Sequence, residues 1–207
     1  MMQTPLFQVE KEGKRLQLNF RDFETLMQVK PLLSLRFDQP KYFEWLVRKC
    51  KKALKQGWIT EEQIWLGTYY EKEIQEEKIP DITIRWINSI KGYGVFTNRA
   101  LRKKTYIGEY TGLLRKRKKR LDRTNSYCFE YIIGEGLDTP FTIDAKDQGN
   151  HVRFINHHSM GNLDPMLVFS GGIMHVILYT NRAVEAGEEL TYDYGEDYWA
   201  KREQPVL

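Results

Sequence analysis

The stretch Arg153-Phe154-Ile155-Asn156-His157-His158-Ser159-Met160-Gly161-Asn162 sets an asparagine against two adjacent histidines, in a chain that has 4 histidines in all. Such a run offers donors and acceptors side by side, and four uses are open to it: a metal site, an acid–base pair, a cofactor clamp or a turn. A second stretch, Gly187-Glu188-Glu189-Leu190-Thr191-Tyr192-Asp193-Tyr194-Gly195, alternates its tyrosines and closes on glycine. It reads either as a core strand with amphipathic tyrosines or as a wall that offers phenol hydroxyls to a ligand. Two shorter motifs complete the set. Lys91-Gly92-Tyr93-Gly94-Val95-Phe96 brackets an aromatic with glycines, so backbone can approach a ligand closely. Gly108-Glu109-Tyr110-Thr111-Gly112 does the same around Tyr110. Taken alone, each of these two is an ordinary turn.

Elements must position these residues, and the chain is long enough to build them. Its 207 residues predict one domain, or one domain with a smaller appendage. The 41% hydrophobic and 13% aromatic content suffices for a packed core, and the mixed charge is too balanced for a disordered chain. No apolar run reaches the roughly 18 residues of a membrane span, so no membrane partner is expected. The N-terminus lacks a signal-peptide apolar segment, which predicts folding in the cytosol. Cys50 and Cys128 form no CxxC pair and no disulfide framework, and few thiolates argue against structural zinc.

Residues 1–80 read as a helical N-terminal region. In residues 41–56, Phe43, Leu46, Val47, Cys50 and Leu54 recur at helical spacing, with lysines opposite and Gly57 as a stop. Thr60 followed by Gln63 is a capping-box pattern for a second helix, and an earlier helix around residues 22–30 is expected to end at Pro31. From 81 to 207 short β-rich runs alternate with glycine and polar turns. Residues 166–169 and 173–180 flank a Gly-rich loop and predict a hairpin. The fold class is therefore α+β, with a β-rich domain of several small sheets behind a helical region. That region could pack on the core, form a homodimer or recruit a substrate.

In this order and spacing, the four motifs resemble the SET-domain protein lysine methyltransferases over roughly Trp86 to Trp199, more than half the chain. Gly92-Tyr93-Gly94, Glu109-Tyr110-Thr111-Gly112 and Ser126-Tyr127 match family elements. Arg153 through Asn162 is similar to the R-F-I-N-H-S-C-x-P-N signature, and residues 188–195 to E-E-L-T-[FY]-D-Y-G. The chain most resembles short SET proteins of host-associated intracellular bacteria, which share the WINS…GYGVF…YIGEYTG run and a helical N-terminal segment. Departures are informative. His158 and Ser159 stand where the family has serine and cysteine, and Gly161 where it has proline. The tail from Gly195 to Leu207 lacks cysteine too, so no zinc is expected.

The resemblance implies S-adenosyl-L-methionine as methyl donor and a lysine amine as acceptor, with no metal. Deprotonating a free lysine at pH 7 costs roughly 4.6 kcal/mol, so the site must desolvate the amine beside a cation. By the same resemblance Tyr194 is the catalytic tyrosine, and Tyr110 and Tyr192 complete the catalytic set. A tyrosine at 192 favours lower methylation states. Lys91, Gly92, Tyr93, Ser126, Tyr127, Arg153, Asn156, His157 and Tyr194 would hold the donor, with Tyr110 and Tyr127 lining the lysine channel. Trp199 would either stack on the donor's adenine or simply pack the chain end. His158 falls outside the pattern and reads as a surface residue or one that supports the site from behind.

The basic run Arg115-Lys116-Arg117-Lys118-Lys119-Arg120 carries much of the net charge of +4. It reads as a solvated surface loop, a nucleic-acid or nuclear-targeting patch through which Arg115–Arg120 could associate with chromatin, or a substrate-proximal element. The implied partner is a basic protein, histone or histone-like, methylated in the bacterial cytoplasm or, after export without a cleaved signal, in a host cell and its nucleus. The competing readings are a catalytically inactive SET-like module that binds chromatin or basic proteins, and a nucleic-acid-binding protein. Intact Asn156, His157 and Tyr194 weigh against the first. The local rather than distributed basic charge weighs against the second.

Overall fold

Helix ends in the first part of the chain follow local chemistry. The computed structural model describes residues 7–200. A hairpin of β1 (Phe7–Lys11) and β2 (Lys14–Leu18) comes first. Then α1 (Phe20–Met27) starts where the Asn19 side chain accepts the Asp22 N–H. It ends at Gln28, short of the expected 30, because Gln28 turns left-handed (φ 54°). Two short strands follow, β3 (Lys30–Pro31) and β4 (Arg36–Phe37). Helix α2 (Pro40–Lys55) has proline in its first turn and stops two residues before Gly57. Thr60 caps α3 (Glu61–Tyr69) with the anticipated capping box: Gln63 N–H donates to Thr60 Oγ1 at 3.2 Å, and Thr60 N–H to Gln63 Oε1 at 3.0 Å. A short α4 (Glu71–Gln75) completes this region.

The buried stripe of α2 differs from the one read off the sequence. Tyr42, Leu46, Cys50 and Ala53 face the core, whereas Phe43 is exposed and rests edge-on against Phe37 at 5.3 Å. Spacing alone left two adjacent stripes available, and the sheet beneath selected the one that puts Tyr42 on Phe141.

The later residues supply the remaining strands: β5 (Ile82–Asn88), β6 (Gly92–Thr97), β7 (Tyr106–Glu109) and β8 (Leu113–Lys116). After α5 (Lys119–Asp122) come β9 (Cys128–Ile133), β10 (Leu137–Asp144), β11 (Gln148–Gly149) and a 3₁₀ turn (His151–Phe154). The chain continues through β12 (Asn156–His157), β13 (Leu163–Ser170), β14 (Ile173–Thr180), β15 (Glu189–Tyr192) and α6 (Glu196–Trp199). Among the described residues these form several small sheets: β12-β15-β6-β5-β1-β2, β4-β8-β10-β9, β13-β14-β7 and the pair β11-β3. The α+β class is thus observed, and the expected 166–180 hairpin is the antiparallel pair β13–β14.

The N-terminal region contributes more than helices. Its β1 pairs in parallel with β5, β3 with β11 and β4 with β8, each a contact across a long stretch of sequence. Phe7, Val9, Phe23, Leu46 and Cys50 share one core with Ile107, Ile143 and Leu178. The change of grain near residue 80 marks where helices give way to strands, and the core runs straight across it. No helix of the described residues is long and apolar enough to cross a membrane.

Candidate active site

All the residues singled out above as catalytic or cofactor-binding line a single cleft of about 1340 Å³. Four parts of the chain converge there: the β5–β6 turn, the β7–β10 region, the 3₁₀ turn with β12 beside β15, and α6. The β12–β15 pairing does most to build the site. β12 runs parallel to β15, with Asn156 opposite Thr191 and His157 opposite Tyr192. Asn162 then anchors the crossing, because its side chain accepts the Thr191 N–H at 3.0 Å and donates to the Glu189 carbonyl at 2.8 Å.

Asn156 joins two motifs. Its Nδ2 donates to the Tyr93 carbonyl at 3.2 Å and to Glu189 Oε1 at 2.9 Å. Gly94 makes room for this contact. A Cβ there would stand 2.8 Å from Glu189 Oε1 and 2.7 Å from Ile87 Cδ1. His157 accepts the Tyr194 backbone N–H on Nδ1 at 3.2 Å. Its pKa lies below the ordinary value, chiefly because the ring is desolvated, with His158 adding and Asp193 opposing. Since Nδ1 already serves as an acceptor, the ring is neutral at pH 7, and its 3.5 Å approach to Asp193 is not an ion pair.

The tyrosines form an aromatic wall. Tyr194 OH donates to the Ile155 carbonyl at 2.7 Å, and Tyr110 OH to the Tyr127 carbonyl at 2.9 Å. Tyr192 and Tyr194 lie 4.8 Å apart between ring centres. Burial raises the pKa of Tyr110, Tyr192 and Tyr194 well above the usual phenol value, so all three hydroxyls keep their protons at pH 7. The cleft thus offers neutral dipoles and aromatic faces, which suit a cation.

Arg153 also has partners within the fold. It lines the cleft, but Nε donates to Ala145 O at 2.7 Å and Nη2 to Lys146 O at 3.1 Å. Its guanidinium also lies 4.0 Å from the Tyr127 ring centre, so the visible work of Arg153 is to hold Tyr127 and the 145–146 loop. Trp199 packs parallel to Tyr194 at 6.1 Å and edge-on to His157 at 4.9 Å. Among the described residues its Nε1 is buried without a hydrogen-bond partner. His158 is exposed, as expected.

Residues 92–195 match the family model described as SET domain. The chain belongs to the SET-domain family. It is similar to the histone-lysine N-methyltransferase ash1 of Drosophila melanogaster, 34% identical over 131 residues, 59% of this chain and 6% of that protein. It is also similar to the histone-lysine N-methyltransferase Set8 of the same fly, 32% identical over 159 residues, 72% of this chain and 21% of that one. The match therefore spans under a quarter of either relative's length. A solved structure of ctPRC2 in an autoinhibited conformation bound to S-adenosylmethionine superposes with a TM-score of 0.52 at 22% identity. That match covers 59% of this chain and 16% of that one, and it shows a shared fold.

In this SET domain, no group of three or more His, Cys, Asp or Glu side chains is placed to hold a metal ion among the described residues. Residues 201–207 of the expected cysteine-free tail lie outside the described residues. The basic run does not act as a unit. Arg115 is buried and paired with Asp122 at 2.6 Å and Asp144 at 2.7 Å, and Arg117 pairs with Glu130 and Asp138. Only Lys116, Lys118, Lys119 and Arg120 of that run are exposed. Arg115 and Arg117 of the run thus neutralise carboxylates of the fold, and its solvent-facing cations are these four residues.

The sequence reading missed three contributors to the SET-domain cleft. Tyr198 stands edge-on to Tyr194 at 4.7 Å, and Phe129 lies 5.5 Å from Tyr110. Glu189 holds Asn156. Glu189 belongs to the 187–195 motif, and Phe129 is legible two positions on from Tyr127 by strand alternation. Only the arrival of α6 against the cleft reveals Tyr198.

Proposed function

We propose that this chain is an S-adenosyl-L-methionine-dependent protein-lysine N-methyltransferase acting on histone or histone-like basic proteins. The observation that carries the reading is the cleft itself. Neutral tyrosine hydroxyls share one cleft with Gly92–Tyr93 and Asn156–His157, which the Asn156–Tyr93 hydrogen bond holds together. The donor fits the residues present: a glycine-lined turn, aromatic faces for a cation, and Nε1 of Trp199, which has no partner among the described residues, as a donor to an acceptor atom.

Lys91, Gly92, Tyr93, Asn156 and His157 would hold the donor, with Ser126, Tyr127, Arg153 and Trp199 closing around it. S-adenosyl-L-methionine supplies an activated methyl group on a positively charged sulfur. The chain's own residues do the rest. Tyr110, Tyr192 and Tyr194 wall the amine's channel and exclude water, which lowers the lysine pKa by desolvation next to a like charge. Tyr194 OH and the Ile155 carbonyl, already joined at 2.7 Å, place two oxygens where they can align the amine for in-line attack. The Tyr192 hydroxyl crowds the channel and supports mono- or dimethylation.

The proposed site of action is the bacterial cytoplasm or, after export, a host nucleus, on the likeness of the WINS…GYGVF…YIGEYTG run to short bacterial SET proteins. Association with chromatin would use Lys116, Lys118, Lys119 and Arg120. The deciding experiment incubates the protein with labelled S-adenosyl-L-methionine and mixed bacterial and host basic proteins, beside Tyr194→Phe. We expect lysine labelling that falls about a hundredfold in the variant while donor binding persists. Donor binding with no transfer would favour the inactive module, and absent donor binding would sink both.

A further inference from the structure

The segment 61–77 has the opposite charge from the rest of the molecule. It holds six glutamates against one lysine, a net of −5 within a chain whose total is +4. Lys72 is already spoken for, 3.9 Å from Glu76. On α3, Glu61, Trp65 and Tyr69 follow one another at i, i+4 spacing down one face. Trp65 is 60% and Tyr69 56% exposed, although side chains of this size normally find cover. Their rings are stacked at 5.2 Å and 17°.

This pair is rigidly seated. Tyr69 stands edge-on to Tyr70 at 4.8 Å, and Tyr70 stacks on buried Tyr179 at 6.0 Å. Tyr70 OH donates to the Lys104 carbonyl at 2.9 Å. The helix beneath is pressed against β13 so closely that a Cβ on Gly67 would stand 1.9 Å from the Phe169 carbonyl oxygen. The aromatic pair therefore rides on a fixed base, and binding to it costs little ordering of protein.

We infer that the Trp65–Tyr69 face of α3 is a docking surface for a lysine- and arginine-rich segment of the protein substrate, outside the catalytic cleft. Neither residue lines that cleft. Open indole and phenol faces attract ammonium and guanidinium groups, and the flanking Glu61 and Glu62 add charge complementarity. An acidic partner would instead meet the exposed carboxylates of Glu61 and Glu62 on the same helix. The inference rests on the proposed action on basic proteins and adds a second point of attachment, which raises the effective concentration of the target lysine.

The test uses the full chain without methyl donor. A fluorescein-labelled peptide of alternating lysine and glycine is titrated against wild type, Trp65→Ala/Tyr69→Ala and Glu61→Gln/Glu62→Gln, with anisotropy as readout. Both variants alter exposed side chains, and circular dichroism checks that they fold. The aromatic variant should weaken binding about tenfold and the charge variant severalfold, with affinity falling as salt rises. Unchanged affinity in the aromatic variant would overturn the inference. So would equal binding of a glutamine-for-lysine peptide. Dimerisation seen in sedimentation and abolished by Trp65→Ala/Tyr69→Ala would also overturn it, by making a second copy the occupant. Because no methyl transfer is measured, failure here leaves the proposed activity standing, and an inactive chain that binds would sink only the activity.

Discussion

The backbone N–H of Tyr194 donates to Nδ1 of His157 at 3.2 Å, joining residues that lie 37 positions apart in the chain. That bond requires an unprotonated Nδ1, and desolvation already holds the His157 pKa below its usual value. A histidine whose folded pKa is depressed contributes stability above its unfolded pKa of about 6.5, lost as pH falls through the folded value. Donor affinity should therefore hold near pH 6.5 and drop only as pH falls through the lowered folded value. His157→Asn, which can accept the same N–H but cannot titrate, should flatten this dependence in calorimetric titrations at several pH values. Buried His151, with its pKa pulled down to about 4, acts in the same direction, so the difference between wild type and variant isolates His157.

His175 predicts the opposite limb. Its Nδ1 lies 2.7 Å from Glu109 Oε1 and its Nε2 3.2 Å from the Ser170 carbonyl. Burial works against the charged ring, but the Glu109 carboxylate and these hydrogen bonds outweigh it, and the pKa is raised. The stabilisation is full below about pH 6.5 and is lost as pH rises through the folded value. Urea unfolding of His175→Gln should lose this alkaline decline, whereas an identical decline in the variant would show that another group causes it.

Gly94→Ala tests the Asn156 clamp. Its Cβ would press on Ile87, Glu189 and Asn156. We expect a loss of about 1–3 kcal/mol in stability and weaker donor binding, read by thermal unfolding and titration. Wild-type affinity in this variant would detach Asn156 from the donor.

The basic run should split by mutation. Arg115→Ala leaves Asp122 and Asp144 without their buried cation and should cost about 3–5 kcal/mol. Lys118→Gln/Lys119→Gln should change stability by no more than about 0.5 kcal/mol and should weaken binding to DNA-bound basic proteins if the exposed lysines take part. Denaturant titration separates the two.

Sequence by itself determined what depends on near neighbours. The Thr60–Gln63 cap, the β13–β14 hairpin and the alternation of Tyr192 and Tyr194 were legible because each is set by residues a few positions apart. The motif residues were legible as types suited to a cation and an amine. Tertiary structure decided which of them meet. Nothing local in residues 7–18 said that β1 would pair with β5, since strand pairing takes its partner from elsewhere in the chain. Nor did the spacing of α2 say that Tyr42 rather than Phe43 would face the core. Arg115 looked like part of a charged loop until β10 brought Asp144 beside it. Arg153 and Trp199 were placed at the cleft by their motifs, but their hydrogen bonds and ring contacts, which come from distant segments, decide what each can still offer a ligand.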